Sequence, residues 1–162
     1  RHTRGHAEHH LCIWDAASHG WFTGDMFGVS YPWCRFTRAD FVLPSTSPSQ
    51  FDPDAFLDSL NLLASYSPRR MYLTHYGELA YSEDTAQLLS RQIKAYCEFA
   101  ADDSQDVIAL QQRLTDYSLA LLTEYDVAGN EETLRNNIVF DMQLNAQGLQ
   151  IWQQGVMNKT AR

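Results

Sequence analysis

The sequence is poor in basic residues: 12 Lys and Arg stand against 20 Asp and Glu, for a net charge of −8. The few cations are scattered, and Arg69-Arg70 is the only adjacent pair. Binding to nucleic-acid phosphates needs clustered Lys and Arg, so a nucleic-acid polymer is excluded as a partner. Long apolar runs are also lacking. None approaches the roughly 18 residues that would cross a bilayer as a helix, so no membrane partner is expected. Cysteine is scarce. Cys12, Cys34 and Cys97 are three in number, with no CxxC spacing. An odd count without a framework points to reduced thiols in a cytoplasmic setting, buried as small hydrophobes. There is no internal repeat and no low-complexity tract.

What is present is ordinary for a globular chain. Over 162 residues, 44% are apolar and 20% charged, enough to bury a real core. The informative stretch is Thr3-Arg4-Gly5-His6-Ala7-Glu8-His9-His10, together with Gly24-Asp25 and Thr74-His75-Tyr76-Gly77. Residues 10–15 are predicted to form a strand, with Leu11, Cys12, Ile13 and Trp14 apolar. Residues 21–24 are predicted to form a second strand, after a turn-like link over 16–20 that ends in Gly. In the resulting hairpin, the start of the first strand and the end of the second share one edge. His6, just before the first strand, and Asp25, just after the second, are therefore expected to be neighbours. Residues 71–74 read as a third strand with His75 at its C-terminal end, where ligand sites of α/β proteins gather. Imidazole nitrogen and carboxylate oxygen are the usual non-thiolate ligands of catalytic zinc.

These motifs, in this order, resemble the second half of a metallo-β-lactamase-fold metallo-hydrolase, in particular its glyoxalase II-like and lactonase-like members. The resemblance covers roughly residues 1–80. It implies an α/β fold: the C-terminal half of an αββα sandwich over residues 1–81, followed by an added helical region over 82–162. It places a metal-ligating histidine on His6, a metal-bridging aspartate on Asp25 and a further histidine ligand on His75. His10 falls on a recurrent second histidine of the motif and is given a supporting role behind the ligands. The cofactors implied are two divalent metal ions, with zinc ahead of iron or manganese. The family's first ligand cluster, His-x-His-x-Asp-His, has no counterpart upstream of Arg1, and the chain lacks an initiator Met. The expectation is a fragment, inactive alone, of a longer enzyme. In the intact protein that enzyme would hydrolyse a small ester, thioester or lactone through a metal-bridging hydroxide.

The remaining chain divides into a loop, a helix and a helical region. Residues 26–36 show no clean period and carry Phe27, Tyr31, Trp33 and Phe36. They are read either as an aromatic wall of a small-molecule substrate pocket or as a loop packed onto the core. Phe27 and Tyr31 are the substrate-binding candidates, Tyr31 for its hydroxyl. Residues 41–44 read as an edge segment. Asp52-Pro53 is predicted to open a helix that runs to about Tyr66. From Ser82, three helices are expected. The first shows Leu89, Ile93 and Tyr96 on one face. The second is capped by Ser104 and shows Val107, Leu110, Leu114, Tyr117 and Leu121 on one face. The third begins at Glu131-Glu132 and ends or bends at Gly148. This region is expected to pack on the sheet or on a second subunit, as a homodimer. Asp141 and Asn145, one helical turn apart, are expected to have a structural role. His2, His9 and His19 read as surface residues.

Two other functional readings stay open. In one, the chain is a non-catalytic helical interaction module on a degenerate or truncated sheet of the same kind, its histidines incidental. In the other it is a phosphodiesterase of the same fold, disfavoured for polymeric nucleic acid by the acidic charge. Neither the substrate nor the metal is determined by these motifs.

Overall fold

The computed structural model describes residues 1–34, 40–46, 49–102 and 106–160. The chain is mixed α/β, with a four-stranded sheet and four α-helices among the described residues. Strands β1 (Ile13–Asp15), β2 (Gly20–Gly24), β3 (Arg70–Leu73) and β4 (Glu78–Ala80) lie in the order β1-β2-β3-β4. β1 and β2 form the expected antiparallel hairpin, pairing Ile13 with Phe22 and Asp15 with Gly20. Strand β1 is shorter than the predicted 10–15. Its leading residues pair instead with the N-terminal segment through a His2–Leu11 bridge. β3 runs parallel to β2, so the two strands end at the same edge of the sheet. Strand β4, antiparallel to β3, went unpredicted because only Leu79 of its three residues faces the core.

The register sorts the sheet into two unlike faces. Trp21, Met71 and Leu79 lie across from one another on β2, β3 and β4 and are buried. Ile13, Phe22 and Tyr72 occupy the opposite face, where Phe22 stacks on Tyr72 at 4.7 Å between ring centroids. There Ile13 is 58% and Phe22 50% exposed.

The buried face meets helix α1 (Pro53–Ala64), and the Trp21 indole donates to the Leu63 carbonyl at 3.1 Å. Helix α1 starts where Asp52-Pro53 predicted. The Asp52 carboxylate accepts from Ala55 N, which satisfies one of the helix's orphan donors. α1 packs on α2 (Glu83–Asp102), and α2 meets both α3 (Val107–Glu124) and α4 (Glu131–Thr160). Helix α3 buries Leu110, Leu114 and Leu121 of the predicted stripe; Val107 and Tyr117 are half-buried. Its cap is Asp106, whose carboxylate accepts from Ile108 N and Ala109 N. Ser104, like Phe36, lies outside the described residues. Helix α4 continues through Gly148 instead of ending there. A glycine costs a helix interior only about 1 kcal/mol, and the buried Met142, Ala146 and Leu149 hold the helix on both sides of it. No helix among the described residues is long and apolar enough to cross a membrane. The buried residues form one cluster running from Cys12 to Leu149.

Candidate metal centre

The turn that carries His6 is pinned to the start of α1. Thr3 N donates to the His10 carbonyl at 3.0 Å, closing the loop. Asp52 N donates to Gly5 O at 2.9 Å and Ser59 Oγ to Arg4 O at 2.7 Å. Gly5 has φ +133, and a Cβ there would lie 2.3 Å from Phe56 Cα. Only glycine permits both that backbone and that approach. The turn therefore lies directly on the helix backbone, which fixes where His6 projects.

His6 Nδ1 lies 2.8 Å from the Ser45 carbonyl oxygen. A carbonyl only accepts, so Nδ1 carries a proton and donates it. That leaves the Nε2 lone pair open in the neutral ring, and Nε2 faces Asp25 Oδ2 at 3.6 Å. The other carboxylate oxygen, Oδ1, faces His75 Nε2 at 3.5 Å. Asp25 directly follows β2 and His75 lies two residues beyond β3, so the parallel pairing of these strands brings them together. The structure thus places the three sequence-predicted ligand residues in one row, with the carboxylate in the middle.

The distances bear on what the row can do. Both exceed the 2.7–3.2 Å of an N–H···O hydrogen bond. Two ligand atoms about 2.0–2.2 Å from a tetrahedral zinc lie about 3.3–3.6 Å apart, which is closer to the spacing seen. A separate oxygen of one carboxylate toward each imidazole is the arrangement of a bridging aspartate. It offers one nitrogen and one oxygen per metal. No three His, Cys, Asp or Glu among the described residues close around a single metal position. The donor types fit a metal ion, but only as a partial ligand set.

His10 has both ring nitrogens engaged elsewhere. Its Nε2 accepts the Asp25 backbone N–H at 3.3 Å, so Nδ1 is the donor in the 3.1 Å contact with Thr3 Oγ1. Thr3 Oγ1 donates to Cys12 Sγ at 3.2 Å, and the thiol donates to the Thr23 carbonyl at 3.3 Å. Burial, then the neighbouring His6, lowers the pKa of His10 and favours the neutral ring this chain of donors requires. Gly24 makes room for it: with φ +53, a Cβ there would lie 2.4 Å from His10 Nε2.

The loop after Asp25 splits between core and site. Phe27 is only 1% exposed and lies in the core, its ring toward Tyr81. Tyr31 is half-buried, between Trp33 at 5.5 Å and Tyr76 at 4.7 Å. Its hydroxyl donates to Asp141 Oδ2 at 3.0 Å. Burial, then the Asp141 charge, raises the Tyr31 pKa and keeps it a donor. Asn145 Oδ1 accepts from Thr46 N and Thr46 Oγ1, both at 2.9 Å, and Asn145 Nδ2 donates to Pro44 O at 2.9 Å. Asn145 thereby holds the strip whose Ser45 carbonyl orients His6. It supports the orientation of His6, a role that nothing at its own position in the sequence announces. His6, Ser45, Thr46, Asp141 and Asn145 line a cavity of about 150 Å³. Exposed His2 bonds the Glu8 carbonyl at 2.7 Å, away from the site.

No family model matches the chain, and no curated protein matches it. Among solved structures, it is similar to an archaeal metallo-beta-lactamase superfamily protein from Sulfolobus tokodaii, with 18% identity and a TM-score of 0.48. The match covers 91% of this chain and 43% of that one.

Proposed function

We propose that the chain carries part of the metal centre of a binuclear metallo-hydrolase of metallo-β-lactamase type, acting on a small ester, thioester or lactone. The observation that carries this reading is the row His6–Asp25–His75, in which each imidazole Nε2 faces a different oxygen of one carboxylate at 3.6 and 3.5 Å. Because His6 Nδ1–H donates to the Ser45 carbonyl, a neutral His6 would turn a lone pair toward Asp25 Oδ2. Two acceptors face each other stably only around a metal ion or a shared proton, and the neutral ring has no proton at Nε2 to share. The order of the motifs in the sequence supports the same reading.

His6 and Asp25 Oδ2 would hold one metal, and His75 and Asp25 Oδ1 the other. Two divalent ions there would supply a water nucleophile ionised near neutral pH and polarise the carbonyl under attack. The protein's own contribution is orientation. Ser45 fixes the tautomer of His6, His10 holds the Asp25 backbone, and Tyr31 stands beside the site as a substrate contact, while Phe27 lies in the core. Catalytic zinc normally has three protein ligands, and each metal would have two from this row. Full activity therefore requires further ligands beyond this row.

Metal titration tests the proposal. Zinc, iron(II) and manganese(II) are added separately to metal-stripped protein, followed by calorimetry and elemental analysis. Binding is expected to be lost in Asp25→Ala and reduced roughly 10–100-fold in His10→Ala, as for residues that support a ligand. Equal, mild losses in both variants, or no binding of any of the three metals by the unaltered chain, would refute the reading.

A further inference from the structure

Helix α4 shows solvent a long uncharged strip. From Asn136 to Asn158 the only charged residue is Asp141, and its carboxylate turns inward to Tyr31. Helices α1, α2 and α3 instead show Asp54, Glu98 and Asp116 to solvent, as the outer face of a surface helix usually does. Along α4 the exposed positions follow at intervals of three and four: Asn136, Phe140, Gln143, Gln147, Ile151 and Gln154. That spacing puts them on one face. Phe140 is 63% and Ile151 46% exposed. Ile108 at the start of α3, 76% exposed, shares a cleft of about 180 Å³ with Val139 and widens the strip there.

The strip reads alike from either end. On each side of Asn145 an amide, an apolar residue and another amide follow one another. Turning a second copy end over end about that midpoint sets Phe140 against Ile151, Gln143 against Gln147 and Asn136 against Gln154, each pair twice. A two-fold interface apposes one patch to itself and needs this symmetry. A side-chain amide carries both donor and acceptor, so it pairs with its own kind; a charged side chain would meet its own sign. On a chain of net charge −8, two copies repel over their acidic surfaces and least at this strip. We propose that the outer face of α4 is the contact of an antiparallel homodimer, with Phe140 and Ile151 as its apolar anchors. At 1.5 Å per residue the strip is about 33 Å long and, at the width of a helix, about 10 Å across. That is small for an interface, so the dimer is a reversible one. The helix serves two partners: its inner face holds Thr46 and Tyr31, its outer face a second copy. The dimer does not depend on the metal centre.

Sedimentation equilibrium of the full chain in EDTA, from about 5 to about 500 µM, tests this. A monomer–dimer equilibrium is expected, with dimer prevailing at the upper end. Phe140→Asp and Ile151→Asp should each weaken association about tenfold or more, the scale for losing an anchor of an interface. Both residues are exposed in the single chain, so urea midpoints should stay near that of the unaltered protein; if one variant fails to fold, the other carries the test. Phe22→Asp, on the exposed face of the sheet, should leave association unchanged. Cross-linking reads the register. Phe140→Cys and Ile151→Cys, mixed and oxidised, should join to each other above the background of the unaltered chain, and neither to itself. Like positions would lie about 16 Å apart along the helices, whereas a disulfide needs Cα atoms within about 7 Å. A chain that stays monomeric throughout, association that survives both aspartate substitutions or is lost in Phe22→Asp, or a disulfide formed by either cysteine variant alone as readily as by the mixture would overturn the proposal.

Discussion

Gly24→Ala probes the link between the hairpin and the bridging aspartate. Gly24 has φ +53, and an added Cβ would lie 2.4 Å from His10 Nε2. A non-glycine residue in the left-handed region costs about 1–2 kcal/mol. The clash adds to this, because His10 cannot retreat without breaking its bonds to Asp25 N and Thr3 Oγ1. Leaving such partly buried groups unpaired costs about 1–3 kcal/mol. The sum, roughly 2–5 kcal/mol, is a large part of the 5–15 kcal/mol that stabilises a typical domain. Urea unfolding of four proteins isolates the contact: the unaltered chain, Gly24→Ala, His10→Ala and the double variant. With His10 removed, Gly24→Ala should cost only the backbone part, about 1–2 kcal/mol. A coupling of at least about 1 kcal/mol between the two sites is therefore expected. If the two substitutions are additive, Gly24 does not make room for His10 and the supporting role of His10 falls with it.

Asn145→Ala removes the clamp on Thr46 and Pro44 and should cost about 2–4 kcal/mol by denaturant unfolding, from buried partners left unpaired. It should also weaken metal binding about 10–100-fold, because Ser45 then orients His6 less well; unchanged affinity would show that α4 does not support the ligand. Cys12 is pushed up to about 11 and Cys97 to about 12, in both cases chiefly by burial. At pH 8 roughly a thousandth or less of each is thiolate, so iodoacetamide should leave both unmodified in the native protein, as mass spectrometry of digests will show. The Asp141 carboxyl has its pKa raised, first by burial, so the folded state binds its proton more tightly than the unfolded state does. Its contribution is thus fully present below the unfolded value of about 3.9 and is lost as pH rises through the folded value. The stability of Asp141→Asn relative to the unaltered, metal-free chain should therefore grow with pH across that window and then level off; a flat difference in urea midpoints between pH 3.5 and 7 would contradict this.

Local chemistry accounts for the parts of the fold that were legible in the residues. The turn over 16–20 between two apolar runs was enough to predict the β1–β2 hairpin, and a hairpin by itself brings His6 and Asp25 to one edge. Asp52-Pro53 marks the start of α1 because a carboxylate cap and a proline at the first helical position both act within one turn. The repeat of apolar residues along α3 showed which face to bury. β4 stayed hidden because three residues with one inward side chain form a strand only when β3 is there to pair with. Gly148 does not end α4, because helix propensity is a penalty of about 1 kcal/mol, smaller than what the packing of Leu149 and its neighbours contributes. The expected break at 102–104 and the cap at Asp106 differ by two residues, as helix ends commonly do.

In the candidate site the same boundary separates the two kinds of residue. That His6 and Asp25 are neighbours follows from the hairpin, and the order of the three motifs joined His75 to them only through the family resemblance, because residues 25–69, with α1 among them, separate β2 from β3. How they meet does not follow. The parallel pairing of β2 with β3 turns Asp25 toward both imidazoles, one oxygen to each. Asp141 and Asn145 enter from α4, 110 and 99 residues from the partners they bond. No local pattern tells a carboxylate that caps a helical cluster from one that receives a tyrosine across the fold. Sequence spacing is enough where the chain itself carries a residue to its neighbour; where the packing of α4 against the loops does that work, only the tertiary structure decides.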